Sequence, residues 1–293
     1  MAMTDPMTLA PAFMVDDASV LAETDMTRCI LLMTVGHHQF GYAVLDPLHK
    51  RFITLKSYYY GQKNAEQTTL DVIEQCLDMD KMLFTAFQET RIGFDVPCHT
   101  LVPASYYHPS DRREYLSFLY GPQTDHVIMH DVLQEWNMVN VYGLNKNIVG
   151  YLRKEFSTGK ICHTETAGFR SLLSQQELTE EPLFYVRILP HRLVFSAFLD
   201  KRLQYHQSFP FGDEQDVVYQ LLNVLQQLGW DINATEVRLH GEINESSRVY
   251  QEMERFVPRL HWAHRLHGYT FVPSFNNYPA HHFRNILSLA ACE

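Results

Sequence analysis

The sequence predicts an α/β protein made of two mixed-sheet halves, and two observations carry that prediction. Residues 33–61 return in recognisable form at 186–212. Around both copies, runs of period-two alternation are interleaved with amphipathic segments of helical period, so each half contains strands and helices together.

The copies align in three blocks: His37 to Asp46 on His191 to Asp200, Lys50 to Gly61 on Lys201 to Gly212, and Asp71 to Leu77 on Asp216 to Leu222. Twelve of the 29 aligned positions are identical, where chance would give roughly two. Each copy reads as a strand, a tight turn, an alternating strand, a turn, a third strand ending at Gly, and an amphipathic helix. The first copy places these strands at 27–34, 39–46 and 51–60, with a helix over 65–77. The second places them at 183–189, 192–199 and 203–209, with a helix over 213–228.

Beyond the first copy, 92–103 is β-rich and broken by prolines, and 98–102 within it is expected to add a strand to the meander. A helix is expected to start near Ser110, whose hydroxyl would cap it. Two alternating runs, HVIMH and WNMVNVYGL, follow as strands. Asn145 then caps a helix reaching Phe156, with Ile148, Leu152 and Phe156 on one face. A short strand at 160–164 and a helix at 166–176 lead to the acidic, Pro-containing 177–182, where periodicity stops. The second half continues as a strand at 236–241, a helix at 246–256, a strand at 260–264 and a closing helix at 279–290. The expected organisation is an arm or edge segment of weak order at 1–24, a first half at 25–180 and a second at 181–293.

The composition narrows the function classes. With 24 Lys and Arg against 34 Asp and Glu, the formal charge is −10. That sign repels phosphate backbones, which argues against nucleic acid as a partner. Five cysteines in an odd count, with no CxxC pair, point to reduced thiols and a cytoplasmic setting. No basic leader with an apolar core opens the chain, and no stretch has the roughly 18 apolar residues of a membrane span. His261, His264 and His267 are the densest histidines but fit no metal-ligand signature, so no metal site is expected. Neither Ser57 nor Ser208 stands in a nucleophile motif, and the tyrosines at 58–60, 106 and 107 fit strand and core packing or a peptide groove.

A duplicated unit of three strands and a helix followed by strand and helix pairs resembles the actin-like ATPase fold of actin, Hsp70 and sugar kinases. That resemblance implies a duplicated, ribonuclease H-like fold with a cleft between the halves. The stretch NVYGLNKNIVGYLRKEF, at 140–156, resembles the pilus-assembly and type II secretion branch. Together with CHTLVP, TDHVIMHDV and the final LSLAACE, it points to a bacterial family of unknown function assigned to that fold. Active members carry an Asp-x-Gly turn in each first hairpin and a Gly-Gly turn for adenosine. Mg²⁺ wants carboxylates and phosphates want glycine-exposed amides.

Here the first turn reads Thr34-Val35-Gly36, and the second is read as Ile188-Leu189-Pro190. Neither has a carboxylate, and proline offers no N–H. The adenosine turn survives in part as Leu239-His240-Gly241-Glu242. The expected site, a cleft touched by Thr34, Gly36, His37, Ile188, Pro190, His191, Gly241 and Glu242, therefore holds neither ATP nor Mg²⁺. The expected function is a non-catalytic actin-like protein that binds another protein. The alternative is a divergent ATP-binding protein or ATPase of the same superfamily. Asp46 and Asp200, aligned by the repeat, are expected as turn residues.

Overall fold

The computed structural model describes residues 10–60, 65–190 and 192–292. They form two compact units, which divide the chain at 167/168 and not at 180/181. The first unit also takes in 268–275 and residues from 286 on, while the second comprises 168–267 and 276–285. The acidic 177–182 stretch thus lies inside the second unit.

In the first unit, β1 (Phe13–Val15) and α1 (Ala18–Glu23) precede the meander. Asp17 caps α1 by accepting from the amides of Ser19 and Val20. From residue 10 on, the expected arm is therefore an edge strand and a capped helix. The meander is β2 (Ile30–Gly36), β3 (Gln39–Asp46) and β4 (Arg51–Tyr59). β2 is buried at every residue, and its unbroken apolar run suits a strand covered on both faces. α2 (Ala65–Met79) buries Val72, Ile73, Cys76 and Leu77.

β5 (Glu89–Asp95) joins β2 in parallel, so it and not 98–102 extends the meander. Its buried Thr90, Arg91 and Asp95 disguise it as a polar segment. A turn at Pro97, whose carbonyl takes the His99 amide, redirects the chain into a separate sheet. That sheet is built from β6 (His99–Pro103), β7 (His126–Leu133) and β8 (Met138–Asn145), in the order β6-β8-β7. It is backed by α3 (Arg112–Tyr120), whose Leu116 is fully buried among Val102, Ile128, Val139 and Val141. Ser110 does not cap α3, because its hydroxyl bonds the Asp111 carboxylate at 2.6 Å. Asn145 does cap α4 (Lys146–Glu155), accepting from the amides of Asn147 and Ile148. β9 (Lys160–His163) then pairs with β5 in parallel, and α5 (Thr164–Ser174) follows.

The second unit repeats this plan without the extra sheet. Its elements are β10 (Leu183–Leu189), β11 (Arg192–Leu199), β12 (Arg202–Pro210), α6 (Glu214–Leu228), β13 (Glu236–Gly241), α7 (Arg248–Phe256) and β14 (Leu260–Trp262). The strand order β12-β11-β10-β13-β14 matches β4-β3-β2-β5-β9 in strand directions as well as sequence. A capping box of Asp213 and Asp216 starts α6, and Gly229 in the left-handed region ends it. The helix buries Val217, Val218, Leu221, Val224 and Leu225 against the sheet. Leu222, expected on that face, is 37% exposed, because it lies about 100° round the helix from Leu221, at the centre of the face that α6 buries.

The two meanders correspond, but one residue out of step with the sequence alignment. Ile30 faces Leu45 across the first hairpin and Leu183 faces Phe198 across the second, so Leu45 answers to Phe198 and Asp46 to Leu199. Both third strands are bulged at the matching place, at Ile53 opposite Val44/Leu45 and at Gln204 opposite Ala197/Phe198. Asp200 is thus not the counterpart of Asp46 and lies in the turn beyond, at φ 51°. Matched side-chain identities favoured the slipped alignment, whereas hydrogen-bonded register decides the equivalence. Gly61, the expected partner of Gly212, lies outside the described residues.

β15 (Thr270–Phe271) adds in parallel to the start of β4 in the first unit. The expected closing helix is shorter than predicted. α8 (Arg284–Leu287) gives way to a 3₁₀ turn at Ser288–Ala291, whose Leu289 and Ala290 carbonyls accept from Arg91 of β5 at 3.2 and 2.8 Å. Cys292 there lies 3.1 Å, sulfur to sulfur, from Cys162 of β9.

Candidate functional site

In the first unit the hairpin turn begins where Thr34, 4% exposed, sits between Gly41 and Gly93 on the neighbouring strands. Gly36 ends β2 in register with Asp95 of β5. The Tyr60 hydroxyl donates to the carbonyls of Gly36 and Gln39, so the turn's acceptors are tied to the third strand. His37 is exposed at the bend. Beside it lies a cavity of about 40 Å³, lined by Gly36, His37, Phe94, Cys98, Asn145 and Ile148 among others. That volume accommodates about three waters, at roughly 10–15 Å³ each. Ligand sites commonly offer roughly 300–1,000 Å³. Burial raises the Cys98 pKa, and its thiol donates to Gln123 Oε1 at 3.4 Å, so it is no ready nucleophile.

A second polar cluster joins the three-stranded sheet to β9, and no motif or spacing announces it. His163 is 1% exposed. Its Nδ1 accepts from the Glu165 amide at 3.1 Å and its Nε2 donates to the Val96 carbonyl at 3.0 Å, which assigns the neutral Nε2–H tautomer. Its ring stacks on His99 at 4.2 Å. His99 bonds Asn140, and Asn140 bonds Thr166. Asp131 closes the network, accepting from the Tyr142 hydroxyl and the His163 amide at 2.8 Å each. With both ring nitrogens engaged by backbone, His163 braces the sheets, its Nε2 proton given to the Val96 carbonyl.

In the second unit, Ile188 is a core residue, Pro190 is exposed in the turn, and His191 lies outside the described residues. The ladder register corrects which residue answers to the first-turn Thr34. It is Arg187, which faces Val194 and His240 as Thr34 faces Gly41 and Gly93. Arg187 is 3% exposed. A guanidinium therefore stands where the repeat would carry a second carboxylate.

Gly241 ends β13 at φ 119°, and a Cβ there would come within 2.2 Å of the Ile188 carbonyl oxygen. Only glycine fits that conformation and that approach. Its N–H donates to the His281 carbonyl at 3.3 Å, so the amide a phosphate would use is engaged. Glu242 follows, partly exposed. His281 and His282 both donate from Nε2 to the Ile243 carbonyl, at 2.8 and 3.1 Å. The His281 ring stacks on Trp262 at 3.9 Å, and Trp262 stacks on Tyr250 at 4.8 Å. Burial lowers the His281 pKa to about 4, and burial with the nearby Arg187 and Arg284 holds His240 well below its usual range.

The same unit buries an ion cluster. Glu177, 6% exposed, accepts from Arg284 and, at 2.7 Å, from the Tyr185 hydroxyl. Arg238 lies 3.7 Å from the same carboxylate and donates to Glu236 at 2.5 Å. Both guanidinium groups stand 5.8 Å from the Tyr185 ring. Asp46 is a turn residue, accepting from the amides of Leu48 and His49. His261, His264 and His267 are exposed, and no group of three or more metal-ligating side chains occurs among the described residues.

Residues 20–260 match a family described as a protein of unknown function, DUF3822. No curated protein matches the sequence. Among solved structures, a Bacteroides thetaiotaomicron protein with an actin-like ATPase fold and unknown function superposes with a TM-score of 0.76 at 15% identity, over 92% of this chain and 97% of that one. The PilM–PilN type IV pilus biogenesis complex gives a TM-score of 0.57 at 12% identity, over 92% of this chain and 100% of that one. The fold is the actin-like ATPase fold.

Proposed function

This chain is a member of the DUF3822 family with the actin-like ATPase fold, and on that premise we propose that it is a non-catalytic form of the fold that acts by binding another protein. The observation that carries the reading is the pair of residues at the first hairpins. Thr34 and Arg187 answer to each other by register, and both are buried. Divalent-metal phosphoryl transfer needs carboxylates or their bound waters beside the phosphates. A neutral hydroxyl and a cation supply none, and a guanidinium there repels Mg²⁺. The engaged N–H of Gly241 supports the same reading.

Protein binding is further supported by the PilM neighbour, whose structure is that of a complex with PilN. No described helix is long and apolar enough to cross a membrane; the cytoplasmic setting we propose is supported instead by the five cysteines, odd in number and without a CxxC pair. The rival reading, a divergent ATP binder, draws on the retained Gly36 and Gly241. Isothermal titration with ATP and Mg²⁺ separates the two. The proposal expects no heat of binding at nucleotide concentrations up to about 100 µM. Micromolar, Mg-dependent binding would overturn it.

A further inference from the structure

The two units differ at one sheet edge. In the first, the outer edge of β4 is covered twice: β1 pairs antiparallel with Leu55 to Ser57, and β15 pairs parallel with Arg51 and Phe52. In the second, the corresponding strand β12 ends its sheet, with no strand beyond it among the described residues. Ser57 answers to Ser208 by ladder register, so the stretch matching the β1 contact is 206–208.

β12 is nine residues long, and its faces are already used. Tyr205 and Phe209 pack toward α6, while His206 bonds the Ser196 hydroxyl at 2.9 Å and lies against Phe169. What remains is the backbone edge itself, a row of amides and carbonyls able to template another strand.

We propose that this edge pairs with the β12 edge of a second copy, antiparallel about a two-fold axis near the strand's middle. Charge makes the strand self-complementary in that direction. Exposed Lys201 and Arg202 stand at its start, and exposed Asp213 and Asp216, with partly exposed Glu214, stand just past its end. Antiparallel pairing centred near residue 206 brings the basic start of each copy beside the acidic end of the other. A two-fold axis makes each such contact twice, and the local match outweighs the repulsion expected of a −10 chain. The inference goes beyond the function proposed above and does not depend on it.

The test is sedimentation velocity of the full chain from about 1 to 100 µM. A concentration-dependent dimer is expected, weakened by salt, with β12 amides gaining hydrogen-exchange protection as it forms. Lys201→Glu with Arg202→Glu should weaken dimerisation about tenfold or more, and Glu214→Lys with Gln215→Lys should do the same. An equimolar mixture of the two variants should restore it in part, since the native acidic end of the first variant then meets the native basic start of the second, while at the other contact the new glutamates meet an end made neutral by its two new lysines. That restoration also shows that both variants are folded. A chain monomeric through the whole range would leave the edge to a strand of a different protein and overturn the proposal. So would a dimer indifferent to both variants, or variants whose mixture stays monomeric.

Discussion

Replacing Glu177 by Ala tests the buried ion cluster of the second unit. The carboxylate is the shared acceptor for Arg284 and Tyr185 and lies 3.7 Å from Arg238. Arg284 is 4% exposed, so without Glu177 its guanidinium is a buried cation left on the His264 carbonyl, to which it donates at 2.5 Å. Breaking a buried pair from one side costs about 3–5 kcal/mol, whereas removing both charges is often nearly neutral. Glu177→Ala should therefore destabilise the second unit by about 3–5 kcal/mol, and Glu177→Ala with Arg284→Met by clearly less. Of the three tryptophans, Trp230 and Trp262 lie in the second unit and Trp136 in the first. Urea unfolding followed by fluorescence in a Trp136→Phe background thus reads the second unit alone. A Glu177→Ala cost under about 1 kcal/mol, or a double variant no more stable than the single one, would refute the reasoning.

Other outcomes are expected from the same geometry. Gly241→Ala should cost about 3 kcal/mol or more in urea unfolding, because it adds a positive-φ penalty to a backbone clash; a cost within 0.5 kcal/mol, roughly that of a neutral surface change, would refute it. The second unit should lose stability as pH falls from about 6.5 to about 4. Within that window the unfolded chain protonates His281 while the folded one, with its pKa near 4, does not. The loss should approach about 1.4 kcal/mol per pH unit for this residue, and a His281→Gln variant should show a shallower pH profile. Thr34→Asp with Pro190→Gly should give no ATP hydrolysis in a coupled assay, since Arg187 still stands where a second carboxylate is needed. The same variant should melt earlier, because the new carboxylate is buried between Gly41 and Gly93.

The sequence conveyed the architecture because the signals of strand alternation, turns and caps are local. The bounds of β3, β10, β11 and β13 and the Asn145 cap were all legible from neighbouring residues. Register was not legible. Shared His, Ala, Leu and Asp identities favoured a slip of one residue, which put Ile188 in the place of Arg187 and hid the most informative substitution of the candidate site. β5 was not separated from the β-rich 92–103 because its polar residues are satisfied by distant groups, as Arg91 is by Leu289 and Ala290. The Glu177–Arg284 pair, 107 residues apart, leaves no periodic trace. A glycine whose need is imposed by Ile188 likewise looks like any strand-ending glycine.

The return of the chain end to the first unit sets an order of events during synthesis. Arg91 and the surface around Gly93 are finished only by Leu289 and its neighbours, which the ribosome makes roughly 120 residues after that unit's main segment ends at residue 167. At about 5–20 residues per second, the interval is roughly 6–24 s. For that time the nascent first unit presents a buried-type arginine and an open apolar seat on its central strands. The second unit, continuous but for residues 276–285, is nearly whole before the first is complete. The half that begins first is therefore finished last, and a chaperone that meets this chain would meet it at the seat of Leu289.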